Sequence, residues 1–257
     1  MQIEVEMSNH NSLNPVHPVG VVTTRSVAAP HRLMAFWHTM IGKKVAMAVT
    51  GVVLVAFVIA HMLGNLKIFS GPAEINAYSR FLREVGAPAL AYGQLLWAVR
   101  IVLLLCMALH ITAAVQLSRM SWAARPFGYD VKRNLETTFS GRVMRWSGVL
   151  LVAFIIFHLL HLTAGAVGFH AGQFRDLAAY QNVRAAFAVW PVALLYIVAM
   201  GALCLHLDHG IWSMLQTLGW NTTRNERMLR TASRAIAIVV FVGFSSVPVS
   251  VLAGWLH

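Results

Sequence analysis

The chain has 257 residues, 58% of them apolar, with a mean hydropathy of +0.66 and only 11% charged side chains, a balance that leaves a soluble domain without a hydrophilic surface. Lipid is the solvent these numbers imply. The formal charge of +11 invites nucleic acid, but the basic residues fall in short clusters between long apolar runs, as orientation signals and lipid head-group contacts do, so nucleic-acid binding is excluded.

The N-terminal stretch carries Pro15, Pro18 and Pro30 but no apolar core of signal-peptide type, and residues 1–34 read as a flexible cytoplasmic tail ahead of one membrane domain at 35–257. A helix that crosses a bilayer takes about 20 apolar residues, and runs at roughly 45–65, 95–117, 146–168, 189–214 and 235–254 supply five. The expected fold class is therefore all-α, a polytopic membrane protein with five transmembrane helices. Fourteen Lys and Arg flank the spans on the N-terminal side (Arg25, Lys44, Arg119, Arg133, Arg145 and Arg234 among them), against six on the other (Lys67, Arg80, Arg83, Arg100, Arg175 and Arg184). Positive residues stay inside, which puts the N-terminus in the cytoplasm and the C-terminus outside.

After the first span, Gly71-Pro72 opens a segment in which Ile75, Tyr78, Phe81, Leu82 and Val85 recur at helical spacing, predicting a short amphipathic helix on the membrane surface. Such a helix either roofs a pocket or packs on the bundle. The inner loops are short and basic, too small for a flavin or nucleotide domain, so soluble catalysis belongs to other subunits and no residue here is assigned as catalytic. Cys106 and Cys204 lie inside apolar runs; there is no disulfide framework, no iron-sulfur ligand set and no C-x-x-C-H sequence to attach a haem covalently.

Ionisable side chains inside a span are costly and point to function. His61 lies in the first span, His110 in the second, His158 and His161 in the third, His206 and His209 in the fourth. His61 to His110 is 49 residues and His158 to His206 is 48, so the first two spans and the next two read as a parallel repeat. At 1.5 Å per residue, His61 is roughly 25 Å beyond Lys44 and His158 roughly 20 Å beyond Arg145, whereas His110 is about 13 Å short of Arg119. Two imidazole pairs at two depths fit bis-histidine coordination of two haems b, His61 with His158 on the outer side and His110 with His206 on the inner, the first four helices forming the haem-binding bundle. Spacing leaves a pairing of His161 with His209 open. Each extra histidine is otherwise a candidate for a haem propionate contact, a quinone pocket or a plain structural role. Asp208, the only acid deep in a span, suits proton uptake, orientation of a neighbour or simple contact with the interface.

Four stretches carry a family resemblance: HMLGNLKIFSG after span one, YGQLLWAVRIVLLLCMALH leading to His110, SGRVMRWSGVLLVAFIIFHLLHL through span three and LHLDHGIWSMLQTLG through span four. In this order they resemble the single-chain, five-helix cytochrome b558 subunit of succinate dehydrogenases and fumarate reductases, over roughly residues 35–255. The resemblance implies His61, His110, His158 and His206 as the axial ligands, a flavoprotein subunit and an iron-sulfur subunit on the cytoplasmic face of a bacterial membrane, and menaquinone as redox partner. The chain's share is to bind, space and tune cofactors. No motif marks the quinone; the polar groups near the outer pair, Asn65, Lys67, Tyr78, Arg80 and Glu84, are the candidates.

Three rival readings remain at this stage. The chain could be the cytochrome b subunit of a membrane formate dehydrogenase or hydrogenase, a histidine-lined path for metal or protons, or a membrane anchor without redox cofactors. A transport path usually mixes carboxylates with imidazoles, and these spans carry almost no acids.

Overall fold

A computed structural model describes residues 32–124, 139–168 and 173–256. Of the tail expected over 1–34, residues 1–31 lie outside the described residues, and Arg32 already opens helix α1 (Arg32–His38). Thr39 separates it from α2 (Met40–Leu66), where its hydroxyl oxygen accepts from the Gly42 amide at 2.9 Å, an N-cap that satisfies one of the free amides of the first turn. A short 3₁₀ turn, Lys67–Ser70, extends α2. Then come α3 (Pro72–Glu84), α4 (Gln94–Ala123), α5 (Phe139–His158) with a π-helical turn at Leu159–Thr163, α6 (Ala179–Phe187), α7 (Trp190–Thr217) and α8 (Glu226–Leu252).

Five of these segments are long and apolar enough to cross a membrane: Met40–Ser70, Gln94–Ala123, Phe139–Thr163, Trp190–Thr217 and Glu226–Leu252. With no strand among the described residues, the chain is an all-α polytopic membrane protein. In lipid a helix satisfies its own backbone, so no other open structure is available to a single span. Large apolar side chains such as Val52, Ile101, Leu105, Val149, Ile156 and Val239 face outward, as lipid-facing residues do.

Helix α4 packs on α2, α5 packs on α7, α2 packs on α7, and α8 lies against both α2 and α7. Helices α4 and α5 meet at their ends, where the Arg145 guanidinium lies 5.1 Å from the centre of the Trp122 ring. Two cores hold this arrangement. Met62, Leu207, Ile211, Leu215, Ala237 and Val240 join α2, α7 and α8, while Ile68, Ile75, Tyr180, Phe187, Tyr196, Val247 and Val251 close the other end. Helix α3 is amphipathic as its spacing predicts, with Ile75 buried and Glu74, Arg80 and Glu84 exposed. It packs on α6, where Asn76 accepts from the Tyr180 amide at 3.1 Å.

Most span boundaries shift from the expected ones, the first span running from Met40 to Ser70, the second on to Ala123 and the third starting at Phe139, and two of the shifts have a local cause. The third span ends at Thr163 and not at 168, because Gly165 (φ +62°) and Gly168 (φ +77°) turn the chain into backbone conformations that L side chains avoid. The fifth begins at Glu226, well before the apolar run at 235, since Glu226 and Arg230 pair across one turn at 3.3 Å and carry the helix out of the bilayer. Helix α6 had no counterpart among the expected elements.

Gly243 on α8 allows the close approach of α2: an added Cβ would overlap the Met62 sulfur and sit 2.9 Å from its Cγ, the use of small residues at membrane helix contacts. Replacing Gly243 by Val is expected to cost about 1–3 kcal/mol, the usual cost of overpacking, and to lower the thermal unfolding midpoint in detergent. An unchanged midpoint would mean that α8 is not seated on α2 at this contact.

Candidate functional site

The four histidines at matched positions come together as two pairs. His61 on α2 and His158 at the end of α5 have ring centroids 6.0 Å apart, edge to face. His110 on α4 and His206 on α7 are 6.5 Å apart. The pairs lie at different depths: Thr50, which touches His110, is eleven residues before His61 on the same helix, or about 16 Å along it.

The inner pair is held by hydroxyls. His110 Nδ1 lies 3.2 Å from Thr50 Oγ1 on α2, and His206 Nδ1 lies 3.3 Å from Ser147 Oγ on α5. Each hydroxyl also donates back into its own helix, Thr50 to the Ala46 carbonyl at 2.8 Å and Ser147 to the Met144 carbonyl at 3.0 Å. Beside each hydroxyl stands a glycine, Gly51 and Gly148, on which a Cβ would meet the facing imidazole Cε1 at 3.7 Å.

These contacts expose a repeat longer than the histidine spacing. MAVTGVVLVAFVIAHML from Met47 and MRWSGVLLVAFIIFHLL from Met144 align without a gap at an offset of 97 residues, bringing Thr50 onto Ser147, Gly51 onto Gly148, Phe57 onto Phe154 and His61 onto His158. Histidine spacing alone had not shown the hydroxyls. Alignment of the chain against itself at that offset was the signal that could have found them.

At the outer pair the aromatic neighbours repeat as well. Phe57 stacks on His61 with centroids 5.3 Å apart, Phe154 lies 5.8 Å from His158, and Phe244 of α8 adds a third ring 5.7 Å from His61. The polar partners do not repeat. Tyr196 Oη sits between two imidazoles, 3.3 Å from His158 Nδ1 and 3.0 Å from His161 Nδ1. With one hydroxyl hydrogen it donates to one ring and accepts from the other. His61 differs again, its Nε2 lying 3.4 Å from the Asn65 amide nitrogen one turn on.

His161 lies fully buried within the π-helical turn, stacked on Phe157 at 5.1 Å and close behind Gly168. It faces Tyr196 and not His61. A π turn often marks a functional position; here it carries His161 off the line of the paired rings, so the geometry does not bring His161 and His209 together. His209 lies in the C-terminal half of α7 in a small polar cleft with Ser140, Asp208, Trp212, Arg230 and Arg234. Asp208 accepts from the Ser140 hydroxyl at 2.8 Å and pairs with Arg234 at 3.6 Å, tying α5, α7 and α8 at one end.

Of the quinone candidates, three gather at the end of α2. Asn65 touches His61, the Lys67 ammonium lies 5.7 Å from the centre of the Tyr78 ring, and that ring packs against Gly64. Arg80 and Glu84 sit one turn apart on the exposed face of α3 and do not join them.

The donor set constrains the cofactor. A bare transition-metal ion takes three or four protein ligands, yet among the described residues no group of three or more His, Cys, Asp or Glu could hold one. Two imidazoles facing each other suit a metal that brings its own equatorial ligands, as haem iron does. Metal–nitrogen bonds of about 2 Å on either side would set ring centres ~6 Å apart across the iron, the spacing of both pairs. The residues present therefore fit the group.

Fold and site together define a multi-pass helical membrane protein with two half-buried imidazole pairs at different depths. The sequence pattern of the succinate dehydrogenase/fumarate reductase transmembrane subunit family matches residues 129–245 of this chain, a stretch that includes His158, His161, His206, Asp208 and His209. His61 and His110 lie outside the matched stretch, as do the first two of the four resembling segments. No curated protein and no solved structure matches the chain.

Replacing Tyr196 by Phe removes the one hydroxyl shared by His158 and His161. Leaving buried polar groups unpaired costs about 1–3 kcal/mol, so a lower thermal midpoint is expected for the detergent-solubilised variant. A midpoint equal to the parent's would show that water or another side chain satisfies both rings.

Proposed function

We propose that this chain is the membrane-anchor cytochrome b subunit of a succinate dehydrogenase or fumarate reductase, and that it binds two haems b, His61 and His158 holding the outer one and His110 and His206 the inner one. The observation that carries this reading is the pair of hydroxyl-backed imidazoles, His110 and His206, stacked in depth with a second facing pair, in a chain whose second half matches the transmembrane subunit family. Held by these histidines, haem iron would supply a one-electron carrier.

The chain's own residues do the rest. Thr50 and Ser147 orient the inner rings, Phe57, Phe154 and Phe244 surround the outer ones with apolar area, and lipid-facing helices exclude water from both. In this reading the N-terminus is cytoplasmic, the C-terminus outside, and a flavoprotein and an iron-sulfur subunit dock on the cytoplasmic face of a bacterial inner membrane. Menaquinone exchanges electrons near the outer pair, with Asn65, Lys67 and Tyr78 the nearest polar groups and Arg80 and Glu84 on the far face of α3. Asp208 and His209 lie at the inner end, where contacts to the inner haem's propionates or to the partner subunits are within their reach.

The test is a reduced-minus-oxidised absorption spectrum with haem quantified per chain, on the parent and on His61→Ala, His110→Ala, His158→Ala and His206→Ala. Two haems b are expected in the parent, with each substitution removing or disturbing one of them. A parent purified without haem would overturn the proposal and favour a transport or purely structural role.

A further inference from the structure

We infer that Thr50 and Ser147 are positioning residues: their hydroxyls fix the ring-nitrogen tautomer of His110 and His206, leaving each Nε2 lone pair free to bind a metal. This rests on the haem reading above and goes beyond it, because a ligand set says which residues bind and not what decides the state in which they bind.

A hydroxyl has one hydrogen to give and two lone pairs to offer. Thr50 gives its hydrogen to the carbonyls behind it, 2.8 Å to Ala46 and 3.2 Å to Met47, and Ser147 gives its own to Met144 at 3.0 Å. Only lone pairs are left to face the imidazoles at 3.2 and 3.3 Å, so the nitrogen opposite each hydroxyl, Nδ1, must carry the ring hydrogen. The neutral ring has one such hydrogen, and Nε2 is thereby the unprotonated atom.

The bland account is that each hydroxyl merely back-bonds its own helix, as Ser and Thr in membrane helices commonly do. Two observations go further. Both hydroxyls stand at one offset of 97 residues with a glycine after each, and the facing imidazole lies within van der Waals reach of that glycine in both halves. Both also meet an imidazole from a different helix, so the bond crosses the bundle and serves two elements at once. The outer pair lacks this device: His158 meets a tyrosine and His61 an amide.

Partners behind a metal-bound histidine orient it and raise its basicity. Loss of the acceptor makes the imidazole a poorer donor, which disfavours ferric iron more than ferrous. The experiment uses the full chain as purified from membranes, with Thr50→Val and Ser147→Ala as disruptive variants and Thr50→Ser and Ser147→Thr as conservative ones. Midpoint potentials of the two haems are read by potentiometric titration, and ferric spectra by electron paramagnetic resonance. For Thr50→Val and Ser147→Ala the expected result is an upward shift of one haem only, of the order of the 59 mV that a tenfold change represents for one electron, with haem retention weakened about 10- to 100-fold. Thr50→Ser and Ser147→Thr should leave both potentials in place. Potentials unchanged in both disruptive variants, or conservative variants that shift as far as the disruptive ones, would overturn the inference while leaving the haem reading intact. A parent without haem would overturn both. Either disruptive variant suffices if the other does not accumulate.

Discussion

Inside a bilayer there is no water to accept a stray hydrogen bond, and this constraint organises the molecule from its helices to its histidines. A helix settles its backbone internally, but an imidazole or a hydroxyl has to find a partner on a neighbour. His110, His158 and His206 find theirs across helix boundaries, from Thr50, Tyr196 and Ser147. The polar groups thus do what hydrophobic burial cannot do between helices already dissolved in lipid: they specify which faces meet. Apolar contacts such as Met62 against Gly243 then set how close those faces come.

The internal repeat explains why there are two pairs and why they are not equivalent. Helices α2 and α5 run parallel and carry the same series of methionine, hydroxyl, glycine, phenylalanine and histidine, so each offers a hydroxyl at one depth and an imidazole at another. The inner pair takes its two hydroxyls from the repeated positions. Divergence begins past the outer histidines. Gly64 occupies the place that His161 holds in the second half, and Tyr78 packs against it, whereas His161 turns through the π-helical segment towards Tyr196. One half therefore closes over the outer pair with an amphipathic helix and the other with a hydrogen-bonded chain of two imidazoles and a phenol.

The ends of the bundle are closed by different chemistry. Near the N-terminal ends of α5 and α8, charge does the work: Ser140 and Arg234 meet on Asp208, and Arg230 lies over the Trp212 ring at 4.3 Å. At the opposite end an apolar cluster built from α3, α6, α7 and α8 carries the closure, pinned by Asn76 against α6 and by Arg83 with Asp176 at 3.1 Å. Exposed ion pairs of the latter kind contribute little stability on their own. The cluster beneath them is the stronger restraint.

Much of this was legible in the sequence because a membrane imposes one-dimensional rules: a span needs a run of apolar residues, and a histidine within it needs a reason. Five helices, the amphipathic segment after Gly71-Pro72 and histidines at two depths follow from run lengths and spacing, whereas the choice of His158 and His206 over His161 and His209 does not. Contacts between helices do not, because residues far apart in the chain meet only when helix rotation and tilt are set by packing. So the sequence by itself determined that His61, His110, His158 and His206 lie at two depths, while only the tertiary structure decided that Thr50 and Ser147 back the inner rings and that Tyr196 joins His158 to His161. It also decided that Asp208 ties three helix ends and that Arg80 and Glu84 are exposed on α3. Depth is a property of position along one helix; partnership is a property of two helices and the angle between them.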